Sequence, residues 1–401
     1  MKSGKIVLTA LLFSLATGCG GGGSSPPANQ PTPPPATTGA NVINVTVNGS
    51  LCSSSDQYPN KACVSVTVCT PGTSTCQTIN DILLDTGSTG LRIFKQALTV
   101  PLTQVTSGSG SLAECIQYGD GTEDWGPVQT ASVILGNEPA VQVPIHVIDA
   151  TFGTLPKACA TPEQGPSDAL FNGVLGVSLF AYDCGAACTS GAGNDMYFSC
   201  SGSDCPGTTV PLASQVQNPV ALLPQDNNGV IVQLPAVAAA GEAFSNGQLV
   251  FGIGTQSNNA PSGVAAYPAS ATGDFTTVFN STNYTSFIDS GSNGLFINAP
   301  ASLLPVCSGQ NNKYNDWFCP PSTVSFTATN TGATGSPSGQ VPFQIGNATA
   351  LFNTSNYVFS DLGGTLTSGF DWGLPFFYGR NVIIGIEGKS SSLGSGPYWA
   401  Y

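Results

Sequence analysis

Two short stretches, far apart along the chain, share a pattern that could carry chemistry. Residues 83–91 read LLDTGSTGL and residues 287–295 read FIDSGSNGL, so an apolar pair precedes an aspartate, a hydroxyl residue, glycine and serine in both. The two aspartates, Asp85 and Asp289, lie 204 residues apart, about the length of one small domain. Two facing carboxyl groups that share one proton can activate a water molecule. We therefore expect two similar lobes, each offering one aspartate to a shared cleft.

The elements that position these aspartates are predicted to be mostly β-strands. The chain has 401 residues, enough for two domains with sizeable cores. Charged residues make up only 8%, with 49 Gly and 30 Pro, a composition typical of many short strands joined by turns. Alternation predicts strands at residues 42–47 and 64–68, and a strand over residues 79–84 leads into Asp85. Short helical pieces are expected only near residues 212–217 and 299–304.

Charge and histidine content exclude several kinds of function. A net charge of −13, with nine Lys and Arg in total, argues against binding nucleic acid or anionic lipid through a basic patch. The single histidine, His146, leaves no room for a multi-histidine zinc site, and a Ser-His-Asp triad would have to use it. Because it lies in an alternating stretch, we interpret His146 as an ordinary strand residue. We expect no metal and no cofactor.

The N-terminus is predicted to be an export signal. Lys2 and Lys5 precede an apolar run over residues 6–16, and small residues lead into Cys19, which resembles a bacterial lipobox. Residues 20–41, rich in Gly and Ser and then in Pro, predict a tether. We expect lipidation at Cys19 and anchoring in the bacterial outer membrane, facing the periplasm or the cell surface. The alternative is a plain signal peptide with an incidental cysteine.

Twelve cysteines remain once Cys19 is set aside, and an even number in an exported chain implies disulfides. Local spacing suggests the pairs Cys52–Cys63, Cys69–Cys76 and Cys307–Cys319, which leaves Cys115 and Cys159 for each other. We expect Cys184, Cys188, Cys200 and Cys205 to form nested disulfides within one inserted segment. A zinc site is the alternative for these four.

Three further stretches fit two lobes around a cleft. Residues 117–122 read QYGDGT and predict a hairpin tip, with glycines on both sides of Asp120. Residues 171–177 (FNGVLGV) and 370–377 (FDWGLPFF) are apolar stretches interrupted by glycine. A glycine in a strand allows close approach to another backbone. We expect each of these two strands to pass behind one aspartate loop.

Together these motifs resemble the pepsin-like aspartic peptidases. The matching elements follow in order: the first catalytic loop at Asp85, the flap at residues 118–122, the glycine strand at 171–176, a strand at 247–252, the second catalytic loop at Asp289, and Gly373. The resemblance covers residues 42–388. It implies a mostly all-β, bilobal fold with an N-terminal lobe over residues 42–228 and a C-terminal lobe over 229–401. The layout also resembles an uncharacterised family of bacterial surface lipoproteins.

The resemblance assigns roles to individual residues. One of the catalytic pair, Asp85 and Asp289, would take a proton from water while the other donates one to the peptide carbonyl. The residues that would support this pair are Thr86, Gly87, Ser88, Ser290, Gly291 and Ser292. The flap residues that would bind substrate are Tyr118, Gly119, Asp120, Gly121 and Thr122. Tyr118 would close over the substrate and exclude water.

The chain departs from the family pattern just after the first catalytic loop. The family usually places a tryptophan after the first catalytic loop, where it supports the flap tyrosine, but residues 91–94 read LRIF. Trp125 could compensate from the flap side. On an alternating strand, Arg92 is expected to point to solvent. An inward-pointing Arg92 would instead lower the pKa of a nearby aspartate.

The sequence-based hypothesis is a lipid-anchored aspartic endopeptidase that hydrolyses peptide or protein substrates at acidic pH. We expect a monomer that needs neither metal nor nucleic acid and contacts the membrane only through Cys19. The first alternative is an inactive pepsin-like surface protein that binds peptide or glycan in the cleft. The second is a structural surface protein with a vestigial cleft.

Overall fold

A computed structural model describes residues 38–54, 58–308 and 314–401. Cys19, the predicted signal and most of the predicted tether lie outside the described residues. The described part is mostly β, with 42% strand and 8% helix. The prediction of a mostly β chain is therefore confirmed. None of the helices described is both long and apolar enough to cross a membrane.

The strands before residue 229 are β1 Val42–Val47, β2 Ala62–Cys69, β3 Cys76–Asp85, β4 Thr89–Phe94, β5 Thr103–Gln104, β6 Thr106–Ser107, β7 Gly110–Gln117, β8 Glu123–Ile134, β9 Val141–Ile148, β10 Gly173–Val177 and β11 Tyr197–Cys200. Those that follow are β12 Gly229–Leu234, β13 Ser245–Phe251, β14 Ala266–Pro268, β15 Phe275–Phe279, β16 Thr282–Ile288, β17 Leu295–Ile297, β18 Val324–Thr331, β19 Ser338–Ile345, β20 Gly363–Thr365, β21 Phe370–Trp372, β22 Arg380–Gly385, β23 Ser390–Ser391, β24 Gly394–Ser395 and β25 Tyr398–Ala400.

Helices are short throughout the described chain. The α-helical turns are α1 Pro166–Ala169, α2 Ala187–Ser190 and α3 Ala348–Phe352. The 3₁₀ turns are Lys95–Ala97, Lys157–Cys159, Leu212–Ser214, Pro219–Leu222 and Leu374–Phe377. The helical piece predicted near residues 212–217 is thus a single 3₁₀ turn. The one predicted at 299–304 was wrong, because these residues form turns after β17.

Six strands close into a barrel that ends at the first aspartate motif. Around it, β2 pairs with β3, β3 with β10, β10 with β4, β4 with β9, β9 with β8, and β8 with β2. Strand β10 runs parallel to β3 and places Gly176 opposite Asp85. The prediction that the glycine strand at residues 171–177 passes behind this loop is therefore confirmed.

The same sheet continues from the barrel into the second half of the chain. Strand β1 pairs antiparallel with β2 on one side and with β13 on the other. The sheet then runs through β12, β22, β25 and β14. The predicted strands at residues 42–47, 64–68, 79–84 and 247–252 all lie within this sheet.

A second sheet carries the second aspartate motif, in the order β19-β18-β15-β16-β21-β17-β20. Strand β21 runs parallel to β16, just as β10 runs parallel to β3. Aromatic side chains fill the core beside this sheet with mostly edge-on contacts, and they are Phe279, Phe326, Phe343, Phe370 and Trp372. This packing fixes the end of β16, and hence the start of the Asp289 loop.

All twelve cysteines of the described residues form disulfides. The predicted pairs Cys52–Cys63, Cys69–Cys76, Cys115–Cys159 and Cys307–Cys319 are confirmed. The other four pair locally as Cys184–Cys188 and Cys200–Cys205, one after the other rather than nested. Because these sulfur atoms are bonded to each other, they do not form the alternative zinc site.

Candidate active site

The structure brings Asp85 and Asp289 together. Asp85 ends β3 and is buried, and Asp289 directly follows β16 and is half-buried. Their carboxyl groups lie within hydrogen-bonding reach of each other. A Cβ on Gly87 would lie 2.6 Å from Cγ of Asp289, and a Cβ on Gly291 would lie 2.9 Å from Cγ of Asp85. Only glycine permits this approach of the two loops.

The two loops are interlocked by side chains that cross between them. The Thr86 hydroxyl donates to the Ile288 carbonyl (3.0 Å) and accepts from the Ser290 backbone N–H (2.9 Å). In return, the Ser290 hydroxyl donates to the Leu84 carbonyl (2.8 Å) and accepts from the Thr86 N–H (3.1 Å). Both side chains are fully buried, so the four bonds hold the loops in one fixed relation.

Each carboxyl group receives its own hydrogen-bond donors. The backbone N–H groups of Gly87 (2.7 Å) and Ser88 (3.1 Å) donate to Oδ1 of Asp85, and the Ser88 hydroxyl donates to Oδ2. On the other side, the Gly291 N–H donates to Oδ1 of Asp289 (2.8 Å) and the Ser292 hydroxyl to Oδ2 (2.9 Å). All the predicted supporting residues thus contact the aspartates or link their loops.

A third carboxyl group lies directly behind the pair, and the sequence analysis missed it. Asp371 on β21 is 3% exposed, and its carboxyl group lies beside the Ser292 hydroxyl, which donates its hydrogen to Asp289. Burial, then the charges of Asp85 and Asp371, raise the pKa of Asp289 well above its usual value. Burial likewise raises the pKa of Asp371. Asp289 therefore keeps its proton more readily than an exposed aspartate does.

The strand that carries Asp371 also passes behind the second loop. A Cβ on Gly373 would collide with the Gly294 carbonyl oxygen and lie 2.7 Å from that of Ser292. On the other side, a Cβ on Gly176 would lie 2.7 Å from the Ser88 carbonyl oxygen. The two glycine strands therefore support their loops in the same way, as predicted.

The predicted flap residues form the turn between β7 and β8. Tyr118 and Thr122 close this hairpin with a backbone hydrogen bond of 2.9 Å, and Gly121 takes a positive φ of 90° that favours glycine. Asp120 is exposed, and its Oδ1 accepts from the Thr122 N–H (2.9 Å) and hydroxyl (2.8 Å). Asp120 therefore orders the turn, and Gly119 beside it is exposed.

Tyr118, at the start of this turn, is bonded to Asp124 and lies close enough to Asp85 for that charge to affect its pKa. Its hydroxyl donates to Oδ2 of Asp124 (3.1 Å). Burial raises the pKa of Tyr118, as does the charge of Asp124, whereas Arg92 lowers it and Asp85 adds to the rise. The indole N–H of Trp125, the residue suggested as a support for Tyr118, donates to the Phe152 carbonyl (2.6 Å). Asp124, not a tryptophan, holds the flap tyrosine.

The expectation for Arg92 was wrong. Its side chain is fully buried, with Nη2 2.8 Å from Oε1 of Glu114 and 3.2 Å from Oδ2 of Asp183. Strand β4 is buried along its whole length, so alternation gave no correct guide to its two faces. Arg92 also donates to the Thr89 carbonyl, just after the first aspartate loop. It therefore links this loop to β7, which leads into the flap.

His146 is a buried residue of β9, as interpreted from the sequence. Its Nδ1 lies 3.4 Å from Oε2 of Glu114, within the same buried cluster as Arg92. Burial lowers the pKa of His146 to about 4, against the opposing effect of Glu114. The imidazole is therefore neutral at neutral pH, and it lies beside Oε2 of Glu114 while Arg92 pairs with Oε1.

Tyr58 is a second residue that the sequence analysis missed. It lies in the loop closed by Cys52–Cys63 and is half-buried. Burial raises its pKa, as do the charges of Asp120, Asp289, Asp85 and Glu163 in decreasing order. The charges of the flap tip and of the aspartate pair therefore both act on the Tyr58 hydroxyl. The residues around Tyr58 in the sequence do not indicate that this aromatic loop residue lies near the aspartate pair.

One group of possible metal ligands occurs in the described residues, and it includes neither Asp85 nor Asp289. Its members are Cys52, Cys63 and Asp81. The two sulfur atoms are bonded to each other, and Asp81 is paired with Lys61 at 2.8 Å. These atoms are therefore already engaged and do not suit a cation.

Residues 37–401 match a family described as "Protein of unknown function (DUF3443)", and the chain belongs to this family. A search of curated proteins found no match.

Proposed function

We propose that this chain is an aspartic endopeptidase with a pepsin-like bilobal fold, in which Asp85 and Asp289 activate a water molecule that attacks a peptide bond. The observation that carries the proposal is the reciprocal interlock of Thr86 and Ser290 around two carboxyl groups in hydrogen-bonding reach. A structural role for either carboxylate would not need both glycines, both serines and the interlock at once. The parallel supports of the two loops, β10 behind β3 and β21 behind β16, favour the bilobal fold.

The hydrogen bonds suggest how the two carboxyl groups divide the work. Asp85 accepts three donors, from Gly87 and Ser88, and so is suited to carry the negative charge. The raised pKa of Asp289 suits it to hold the shared proton. Asp85 would then accept a proton from water while Asp289 donates its proton to the carbonyl oxygen of the scissile bond. The attack gives a tetrahedral intermediate. As its C–N bond breaks, Asp85 gives its proton to the leaving nitrogen and Asp289 regains a proton from a hydroxyl group of the intermediate, which leaves an amine and a carboxylic acid.

The flap provides the cover that such a reaction needs. The charge of Asp85 raises the pKa of both Tyr118 and Tyr58, so both tyrosines lie near the pair. A peptide bound beneath Tyr118 would be shielded from bulk water, which strengthens the electrostatic interactions of the pair. Activity would be highest at acidic pH, because the pair must retain one proton.

The location of the enzyme is proposed from the sequence alone. Residues 1–19 have the pattern of a lipoprotein signal that ends at Cys19, and the disulfides of the folded part are suited to an oxidising compartment. We propose an exported monomer that is anchored to the bacterial outer membrane through Cys19 and acts on peptide or protein substrates.

A pepstatin-type transition-state analogue tests the proposal against a pure binding role. Its central hydroxyl replaces the attacking water between two carboxyl groups, so a working pair should bind it far more tightly than a substrate peptide. We expect calorimetry at acidic pH to show tight binding that the Asp289→Asn variant weakens at least about 100-fold. A folded, oxidised sample that binds peptide but not the analogue would contradict the proposal and favour an inactive cleft.

A further inference from the structure

The flap tyrosine is held by a fully buried carboxyl group. Asp124, the second residue of β8, is fully buried, and its Oδ2 accepts the hydrogen bond from the half-buried Tyr118. Its Oδ1 is also buried and has no hydrogen-bond donor among the described residues. A buried carboxyl oxygen without a donor is costly unless the group is protonated or shares a proton.

A second acid faces Asp124. The Glu163 side chain lies within hydrogen-bonding reach of the Asp124 carboxyl. Its own backbone N–H donates to the Glu123 carbonyl (2.8 Å), next to Asp124 on β8. The Cys115–Cys159 disulfide joins β7 to the segment that leads to Glu163. The two acids are therefore held together by the backbone, and a proton between them satisfies both.

We propose that Asp124 is a positioning residue for the flap: it holds the Tyr118 hydroxyl, and the proton that it shares with Glu163 sets how firmly the flap is held. This inference rests on the proposed function, because the flap matters for activity only if the aspartate pair is catalytic. The position of the flap itself can be measured without activity.

The surrounding charges set the direction of the pH response. Burial raises the pKa of Asp124 to about 7; the Tyr118 hydrogen bond and Arg92 oppose this shift, and Glu114 and Asp120 add to it. Burial, with the charge of Asp124 next, raises the pKa of Glu163 to about 8. Below both values the two acids are neutral. As the pH rises, Asp124 becomes a carboxylate and its bond from Tyr118 becomes charge-assisted and stronger.

Hydrogen–deuterium exchange of the flap, residues 116–124, tests this in the purified full chain. The variants are Tyr118→Phe, Asp124→Leu, which lacks an acceptor, and Asp124→Asn, which keeps a carbonyl acceptor but cannot ionise. Above both pKa values, Tyr118→Phe and Asp124→Leu should each speed flap exchange about fivefold, the factor that one hydrogen bond supports. Flap exchange in the double variant, Tyr118→Phe with Asp124→Leu, should be no faster than in either single variant, because both substitutions remove the same hydrogen bond.

The pH response separates positioning from a purely structural role. After correction for intrinsic rates, wild-type flap exchange should slow as the pH rises past about 7, whereas Asp124→Asn should lose this dependence. Asp204→Asn serves as the control, since Asp204 is an exposed acid outside the flap that is not among the groups shifting the pKa of Asp124 or Glu163.

Additive effects in the double variant, or an unchanged pH response in Asp124→Asn, would overturn the inference. If Asp124→Leu does not fold, Tyr118→Phe and Asp124→Asn still decide it. If the wild type cleaves nothing but its flap exchange follows these expectations, the proposed function fails and the positioning role stands.

Discussion

At the scale of single residues, the most informative position is Asp371, because it places a third acid one hydroxyl group away from the aspartate pair. The Ser292 hydroxyl donates to Asp289 and lies beside the carboxyl group of Asp371, so Asp371 is close enough for its charge to act on Asp289. A negative charge at Asp371 makes it harder for Asp289 to lose its proton. Asp371 would thus extend activity towards higher pH.

Replacement of Asp371 by Asn should therefore shift the pH profile. Without this carboxylate, the pKa of Asp289 falls, and the alkaline limb of kcat/KM should move to lower pH by about one unit. The measurement is peptide cleavage across pH. Asp361→Asn is the control, because Asp361 is also a buried acid with a raised pKa but does not contribute to the shift of Asp289. An unchanged limb in Asp371→Asn would contradict this role.

The proximity of residues could be predicted from the sequence where their hydrogen-bond partners are close along the chain. Asp85 and Asp289 could be found because the donors and glycines that they need lie within the next few residues. Asp371, Asp124 and Tyr58 could not be found in this way. Asp371 and Tyr58 reach the site through strand pairing or loop closure over a long sequence distance. Asp124 lies only six residues from Tyr118, but none of the three has a distinctive neighbourhood in the sequence.

At the scale of elements, the buried cluster of Arg92, Glu114 and Asp183 joins β4 to β7. The arginine has no exposed surface, and its two acid partners are buried with it. Such an arrangement is costly to break, because the partner that remains is left buried without its counter-charge. Tyr197 adds to the cluster by donating to Oδ1 of Asp183 at 2.8 Å. We infer that the cluster fixes the base of the flap relative to the first aspartate loop.

The variant Arg92→Met should lower the free energy of unfolding by about 3 kcal/mol. Chemical denaturation of the oxidised protein at neutral pH measures this loss. Lys95→Met is the matched control: Lys95 also pairs with an acid, Asp149, at 2.6 Å, but its side chain is 61% exposed. Its loss should cost less than about 1 kcal/mol. An equal loss of unfolding free energy in the two variants would show that the buried cluster stabilises the protein no more than an exposed ion pair does.

Element-level prediction failed at β4 for a physical reason. Alternation indicates a face towards solvent only when one face of a strand is wet. Strand β4 lies between β10 and β9 in the closed barrel, and all its residues are buried. An arginine in such a strand needs acids from other elements as partners. The sequence around Arg92 does not indicate that these partners are Glu114 and Asp183.

At the scale of the whole molecule, the sheet that runs from the barrel through β1 into β13 and β12 ties the two halves of the chain together. The composition predicted a mostly β protein, and the local cysteine spacings predicted three of its disulfides and left Cys115–Cys159 as a fourth. The order of strands was not predictable, since it depends on pairings between distant segments. The two parallel supports behind the aspartate loops follow from that order.

Buried acids should also make the whole protein more stable in mild acid. An acid whose pKa is raised by folding binds a proton that the unfolded chain has lost, so stability grows as the pH falls through the folded value. The folded pKa is about 8 for Glu163 and about 7 for Asp124. His146 acts in the opposite direction, but only below its unfolded value of 6.5. Between pH 8 and pH 6.5 the gain is therefore unopposed by His146.

We expect the melting temperature to rise as the pH is lowered from 8 to 6.5, and this rise to shrink in Glu163→Gln, which cannot ionise. Differential scanning calorimetry at constant ionic strength measures both. A melting temperature that falls over this range would contradict the assignment of raised pKa values to the buried acids.

The most direct test of the central claim is cleavage of an unstructured protein from strongly acidic to neutral pH, with and without a pepstatin-type inhibitor. The oxidised wild-type protein is compared with Asp85→Asn and Asp289→Asn, which keep the size of the side chain but cannot share a proton as an acid pair. We expect cleavage with an acidic optimum, abolished by the inhibitor and reduced at least about 1,000-fold in either variant. No cleavage by a folded wild type at any pH, or equal cleavage by the variants, would contradict the account.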